Sequence, residues 1–396
     1  MAERARFQNF AKLKDTEIEF NDITVLAGKP STGKSYVMKY FYAINEMFYQ
    51  KQHNKLITFD IEEESISSGL QYYSMLGYYS EIAPLYEWLE NKKYSEMYEY
   101  ISNVPYFYED NKSLLNILES ILKKENMPLN KKIEFYLNNL IKSVFINHNQ
   151  IANDYQIEYQ DIELIYQDDE FQIILNKKQI FPKVQEPIFV ETPLILEFKK
   201  FMPKEKGKTP YHIESLLNIL DTNYSFTNIE QEEFIKSFRK KSKKIIDGDI
   251  ESSGDSFIFN IKDDKNYDIL NASSGTKSIG LLQYLVTNKA LKKGSVLFWE
   301  EPEVHLHPTW QLKMVDLFVE LMNAGVKIVF STHSPYMADY LNAISQRNNY
   351  RDKISFNLLK EENEEVKNYI LKTDEDWNMI QDELLGSLED IMWKYL

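Results

Sequence analysis

The chain has 396 residues, and its 46 Lys and Arg against 61 Asp and Glu leave a net charge of −15. Hydrophobic residues at 43% and charged residues at 27% are the balance of a folded globular protein, which excludes a disordered chain. Cysteine is absent, which excludes disulfides and any cysteine-ligated zinc or iron–sulfur site. No apolar run approaches the roughly 20 residues that span a bilayer, and the N-terminus MAERARFQNF lacks the apolar stretch of a signal peptide. A cytoplasmic protein of two or three structural units, without a membrane partner, is expected.

In chain order, residues 5–27 alternate and turn as an antiparallel ribbon, with Ile23-Thr24-Val25-Leu26 a buried strand that runs into a loop at 28–33. A helix is predicted from Lys34 to Gln50. Residues 61–148 read as a helical insertion rich in Tyr, Leu and Glu, whose tyrosines build its core; no heptad pattern is sustained. Strands are predicted over 155–198, including Ile188-Phe189-Val190 and Leu194-Ile195-Leu196, followed by a basic loop at 199–208 and helices to about 244. A strand pair near 245–262 comes next. Helix 276–292, strand 295–299, helix 308–323, strand 326–330 and helix 334–345 make the α/β alternation of a mostly parallel sheet. Strands at 354–359 and 366–371 and a helix at 375–393 complete the chain.

Only 12 glycines are present, so two of them five positions apart carry information. Gly28-Lys29-Pro30-Ser31-Thr32-Gly33-Lys34-Ser35 matches G-x-x-x-x-G-K-[ST] between a predicted strand and a predicted helix, the context that cradles phosphates. The glycines let the backbone fold tightly, so that amides converge on phosphate at a positive helix end. In that arrangement Lys34 bridges the β- and γ-phosphates of ATP and the Ser35 hydroxyl holds Mg²⁺.

Ser295-Val296-Leu297-Phe298-Trp299 is an apolar strand ending in Glu300-Glu301-Pro302-Glu303. In phosphate-loop enzymes such a strand delivers one carboxylate to Mg²⁺ and the next to the attacking water. Glu300 takes the metal position, where Asp is usual, and Glu301 that of the general base. Ile328-Val329-Phe330-Ser331-Thr332-His333-Ser334-Pro335 is a second strand ending in a polar turn, where His333 is placed to sense the γ-phosphate. His305 and His307 are spaced like a metal pair, but no third ligand has a sensible spacing. Asn271-Ala272-Ser273-Ser274-Gly275-Thr276 precedes a helix and taken alone is an N-cap signal.

In this order GKPSTGKS, NASSGTKS, VLFWEEPEVHLHP and STHSP resemble the ABC-type AAA-family ATPases of the non-transporter branch. That branch includes SMC-like proteins, the overcoming-lysogenisation-defect nucleases, and ATPase subunits of anti-phage systems such as Septu, PARIS and the retron-associated kind. The resemblance covers about 1–60 and 255–340. It implies an α/β fold: a phosphate-loop ABC-ATPase head with a mostly parallel core sheet, an antiparallel β subdomain and a helical insertion. The divisions expected are 1–60 and 293–396 for the two parts of the ATPase lobe, 61–148 for the insertion, 149–208 for a β-rich part and 209–292 for a helical, signature-bearing lobe. The resemblance also implies a head-to-tail homodimer or higher even oligomer, in which Ser273, Ser274 and Gly275 of one subunit close over ATP on the other's loop. Ser31 departs from a loop glycine common in the family, Glu300 departs from Asp, and the lobe-linking glutamine is open among Gln150, Gln156, Gln160 and Gln185.

A transporter ATPase would have a much shorter path than the 239 positions from Ser35 to Ser274. An SMC-type DNA-repair head would carry a long coiled coil at the insertion. The favoured expectation is the ATPase subunit of a defence complex whose effector, a nuclease or toxin, is a separate chain, because about 60 residues after His333 are too few for a nuclease domain. That assignment rests on resemblance, and a non-hydrolysing nucleotide binder is the alternative of a different kind. Nucleic acid stays open as a partner: residues 236–244 (KSFRKKSKK) hold six basic residues in nine and 199–208 hold five, though such runs are commonly solvated faces.

Overall fold

The computed structural model describes residues 3–56, 60–103, 112–145, 154–160, 162–168, 170–175, 182–201, 209–225, 229–261 and 265–395. Two compact units emerge, one formed by residues 1–49 with 140–396 and the other by 50–139.

The larger unit is built on an eleven-stranded mixed sheet. Its strands are β1 (Glu3–Phe10), β2 (Leu13–Phe20), β3 (Ile23–Ala27), β4 (Tyr155–Tyr159), β5 (Ile162–Gln167), β6 (Glu170–Leu175), β7 (Ile188–Val190), β11 (Val296–Trp299), β12 (Lys327–Thr332), β13 (Ile354–Glu362) and β14 (Glu365–Leu371). Their order is β6-β5-β4-β1-β2-β14-β13-β3-β12-β11-β7. Strands β7, β11, β12, β3 and β13 run parallel to one another, while β1, β2, β4, β5 and β6 pair antiparallel. The parallel and antiparallel parts thus form one continuous sheet. Burial follows this division. β3 is buried at every residue, as a strand covered on both faces must be, whereas β4 and β5 alternate between buried and half-buried positions.

The helix α1 (Lys34–Gln52) leaves the sheet directly after β3. Its Tyr40 and Phe41 join Phe7, Phe10, Phe20, Tyr155 and Tyr159 in one aromatic layer, with ring centroids between 3.8 and 6.4 Å apart. The Tyr40 and Tyr155 hydroxyls meet at 2.5 Å, so the antiparallel part of the sheet fixes the helix that begins at the phosphate loop. Such edge-to-face contacts add about 0.5–1.5 kcal/mol each beyond area burial.

In the other unit, α2 (Asp60–Met75), α3 (Tyr79–Glu90), α4 (Tyr94–Asn103), α5 (Lys112–Glu125) and the start of α6 (Leu129–Val144) form a helical bundle. Leu114, Leu118 and Ile121 line one face of α5 at helical spacing and meet Leu70, Leu85, Met97 and Ile101. Tyr73 and Tyr94 are buried in this core and Tyr78, Tyr86, Tyr98 and Tyr100 pack against it, whereas Tyr72 and Tyr79 are exposed.

The rest of the larger unit comprises α7 (Ile195–Phe198), α8 (Tyr211–Asp221), α9 (Ile229–Ile246), a small antiparallel sheet β8 (Gly248–Ser253), β9 (Ser256–Ile261) and β10 (Asn266–Asp268), then α10 (Ser274–Thr287), α11 (Pro308–Asn323), α12 (Pro335–Arg347) and α13 (Asp374–Tyr395). Three expectations change here. Leu194-Ile195-Leu196 was expected as a strand but opens the short helix α7 instead, because Thr192 and Pro193 turn the chain and their carbonyls accept the amides of Ile195 and Leu196. The pair near 245–262 gains a third strand, and the helix expected from 276 starts at Ser274. Among the described residues, no helix is long and apolar enough to cross a membrane.

Candidate active site at the carboxyl edge of the parallel strands

Open parallel sheets bind ligands beyond the carboxyl ends of their strands. In this sheet Gly28 follows β3, His333 follows β12, Glu300 follows β11 and Glu191 follows β7, and the pairings Ala27 with Thr332, Phe330 with Trp299 and Val190 with Trp299 align those ends.

Gly28 has φ +142°, and a Cβ placed on it would lie 2.2 Å from the Leu359 carbonyl oxygen of β13. Only glycine fits. Gly28→Ala is therefore expected to lower unfolding free energy by about 2–4 kcal/mol in chemical denaturation; unchanged stability would contradict this loop path. Gly33 (φ +90°) and Ser31 (φ +64°) are also left-handed. The Ser31 conformation is one that glycine adopts freely, and it costs the serine about 1–2 kcal/mol.

Lys34 is the first residue of α1, and its Nζ donates to the carbonyls of Gly28 (2.9 Å) and Lys29 (2.7 Å) and to Thr32 Oγ1 (3.4 Å). Burial brings its ammonium down to about 8, against the pull of Glu301, Glu303 and Glu300. Lys29 and Pro30 are exposed, with Lys29 Nζ 3.5 Å from the buried Glu383 carboxylate of α13.

The Glu300 amide donates to the Val190 carbonyl (2.9 Å). Burial pushes the Glu300 carboxyl up to about 7, with the Ser35 hydroxyl bond and Lys39 acting against it. One oxygen, Oε1, is buried without a hydrogen-bond partner. A lone carboxylate oxygen beside a serine hydroxyl is the donor chemistry that a hard divalent cation takes, so Ser35 and Glu300 fit Mg²⁺.

Glu301 has φ +43°, its amide donates to Ser331 Oγ at 3.2 Å, and its Oε1 lies 2.8 Å from His333 Nε2. A left-handed glutamate at such a position is strain held by its surroundings. The half-buried His333 imidazole lies between this carboxylate and the Gly28 carbonyl; burial and then Lys34 lower its pKa while Glu301 opposes them. The structure thus brings Gly28, Lys34, Ser35, Glu300, Glu301 and His333 to one edge.

Ser273, Ser274 and Gly275 stand elsewhere on the unit, at the start of α10. Ser273 Oγ accepts the Thr276 amide at 3.2 Å as N-cap. A Cβ on Gly275 would meet the His305 carbonyl at 3.1 Å and the Trp310 ring at 3.4 Å. Among the described residues, none of their hydrogen bonds reaches the phosphate loop. His307 Nδ1 caps α11 by accepting the Thr309 amide at 3.3 Å, and no metal-holding cluster of His, Cys, Asp or Glu occurs among the described residues.

Two groups at this edge carry no motif. Glu191 Oε2 lies 2.6 Å from His212 Nε2 of α8, and its Oε1 lies 3.5 Å from Lys39 Nζ of α1. The His212 bond, aided by Lys39, draws the Glu191 carboxyl down to about 2 despite burial. Glu191 occupies the carboxyl end of β7, whereas Gln156 lies on β4, Gln160 just after it, Gln185 before β7, and Gln150 outside the described residues. The signal was available only as an acidic residue directly after a three-residue apolar run.

Of the basic runs, residues 202–208 lie outside the described residues. On α9, Arg239 pairs with Asp249 and Glu251, Lys243 with Asp249 and Lys241 with Glu320.

Comparison with known proteins places the AAA ATPase domain on residues 3–338 of the chain. The chain belongs to the AAA ATPase domain family. Solved structures similar to this chain include an SMC head bound to the C-winged helix domain of ScpA, at 10% identity and TM-score 0.48 over 94% of this chain and 99% of that one. The SMC head domain from Thermotoga maritima matches at 9% identity and TM-score 0.43 over 94% and 99%. An ATP-binding cassette of an ABC transporter in its ADP conformation matches at 10% identity and TM-score 0.36 over 96% and 94%. No curated protein matches. An α/β nucleotide-binding ATPase fold is the outcome, with its candidate chemistry at the strand ends.

Proposed function

We propose that this protein hydrolyses ATP, dimerises around it, and gates a separate effector, a nuclease or toxin, in anti-phage defence. The observation that carries the catalytic part is the Glu301–His333 contact at 2.8 Å on the same strand edge as the Lys34 loop.

The amides of 28–35 and Lys34 hold the phosphates of ATP, with charge-assisted bonds at the helix end. Ser35 and Glu300 hold Mg²⁺, which when bound neutralises charge on the phosphate oxygens. Glu301 Oε1 orients the attacking water and takes its proton. His333, held between Glu301 and the Gly28 carbonyl, faces the γ-phosphate side and registers its departure. The exposed Ser273 at the amino end of α10 supplies a helix dipole to a nucleotide on a second copy, because its own loop is served by α1. Nucleotide bridging two copies favours one arrangement over another, which is what a gate requires. The ion pairs across α9 leave less free cationic surface than its sequence promises, which favours a protein partner over a DNA track.

Light scattering of the Glu301→Gln chain with ATP tests the assembly. A doubling of mass that is lost in Ser273→Arg is expected, and a strict monomer with ATP bound overturns the dimer. Expressed with its genomic neighbour the protein should co-purify as a complex. DNA cleavage by the single chain overturns the separate effector.

A further inference from the structure

Glu303 lies within the acidic strand-end motif but was given no role above, yet it joins the two turns that carry the proposed chemistry. Its Oε1 accepts the Thr332 hydroxyl at 2.8 Å and the His333 amide at 2.6 Å. Thr332 Oγ1 in turn accepts the Ser334 amide at 2.9 Å, and Ser334 caps α12 by accepting the Met337 amide at 3.2 Å. On its own side Glu303 sits two residues beyond Glu301, inside a turn closed by the Val304 amide on the Glu301 carbonyl at 3.0 Å. One carboxylate oxygen therefore ties the backbone that presents Glu301 to the backbone that presents His333. Bonds to a carboxylate are among the stronger ones, and one from an amide with one from a hydroxyl on the same oxygen leave the turn little freedom.

We infer that Glu303 is a positioning residue, which sets the His333 imidazole on the Glu301 carboxylate without touching the nucleotide. Glu301 and His333 come from different strands, and among the described residues the 2.8 Å contact between their side chains has no other short brace from the acidic turn to His333 itself. The Ser331 hydroxyl on the Glu301 amide fixes the Glu301 backbone only. Burial raises the Glu303 carboxyl while the His333 amide, its own amide and the Thr332 hydroxyl act against the rise, and its Oε2 is buried without a hydrogen-bond partner, so the side chain is held in place by Oε1 alone.

The inference rests on the hydrolytic reading, so its test has two readouts on the full chain: ATP turnover and exchange of the His333 amide hydrogen. Glu303→Ala is expected to lower kcat by about 30- to 100-fold with KM within about threefold. It should also speed His333 amide exchange by about tenfold or more. Glu303→Gln retains an oxygen that can accept both donors, and should restore kcat to within about fivefold of the parent chain. In a Glu301→Gln background, adding Glu303→Ala should cost less than about threefold, because the group to be positioned is already gone. Thr332→Val, which removes one donor and keeps the volume, should show a smaller loss with the same non-additivity, and it serves if Glu303→Ala does not fold. Losses that multiply in the Glu301→Gln background, equal rises of KM and falls of kcat, or a Gln variant as slow as Ala would overturn the inference. A parent chain without ATP turnover overturns the hydrolytic reading alone; His333 exchange then decides, and exchange unchanged in Glu303→Ala overturns the positioning role.

Discussion

Glu301→Gln is expected to lower ATP turnover by about 10²-fold or more while leaving ATP affinity within about threefold. The substitution keeps the side-chain volume, and the amide can still bond His333 Nε2, so the 2.8 Å contact and the turn that carries it survive. What is lost is the proton acceptor. The left-handed Glu301 backbone, braced by Ser331, keeps position 301 aimed as before, which separates loss of basicity from loss of geometry. Phosphate release in a single turnover, with calorimetry for binding, reads the two quantities separately. Glu300→Gln should act differently: it alters the buried oxygen beside Ser35, and its effect should be relieved by raising Mg²⁺. If Glu300→Gln abolishes turnover at every Mg²⁺ concentration while Glu301→Gln remains active, the roles of the two carboxylates are reversed.

The parts of this site that share a strand end with a long apolar run were legible in the sequence. Ile23-Thr24-Val25-Leu26, Val296–Trp299 and Lys327–Thr332 are central parallel strands, buried along most of their length, and such strands read as unbroken apolar runs. Each ends in a residue set that breaks the run sharply: a glycine loop, two glutamates, a histidine turn. The loop also has strict local chemistry, since Gly28 has no room for a Cβ beneath Leu359.

Glu191, His212 and Glu303 were not legible, for three different reasons. β7 is only three residues long, and its place beside β11 is a pairing between segments more than a hundred residues apart, which no local pattern encodes. The apolar residues 194–196 that follow then look like more strand, because a run that short cannot tell strand from helix; the Thr192-Pro193 turn decides for helix. His212 is a lone histidine at the first turn of α8 whose value lies wholly in the carboxylate it meets at 2.6 Å. Glu303 looks like one more charge in an acidic turn, and its importance comes from two donors thirty residues downstream. β10, with three residues, was too short to read against its neighbours.

Lys34→Ala should weaken ATP binding by about 10- to 150-fold, the loss expected when hydrogen bonds to a charged group worth about 1.5–3 kcal/mol are removed. The side chain is only 5% exposed, and its ammonium already lies in the loop, bonded to the Gly28 and Lys29 carbonyls, so little ordering is needed for it to meet phosphate. Its neighbours sharpen the effect. Glu300, Glu301 and Glu303 all act on Lys34, and removing the cation leaves these carboxyl groups facing a polyanion. Stability should behave otherwise. Burial works against the ammonium strongly enough to bring it down to about 8, and this desolvation offsets the three bonds it makes. Unfolding free energy in Lys34→Ala should therefore stay within about 1 kcal/mol of the parent, and Lys34→Met, which keeps the stem, should bind ATP as poorly as Ala. Calorimetry that finds ATP affinity unchanged in both variants would remove the phosphate loop from the site. A loss of affinity matched by an equal loss of stability would mean that Lys34 holds the loop's shape, and the cation would no longer be needed to explain binding.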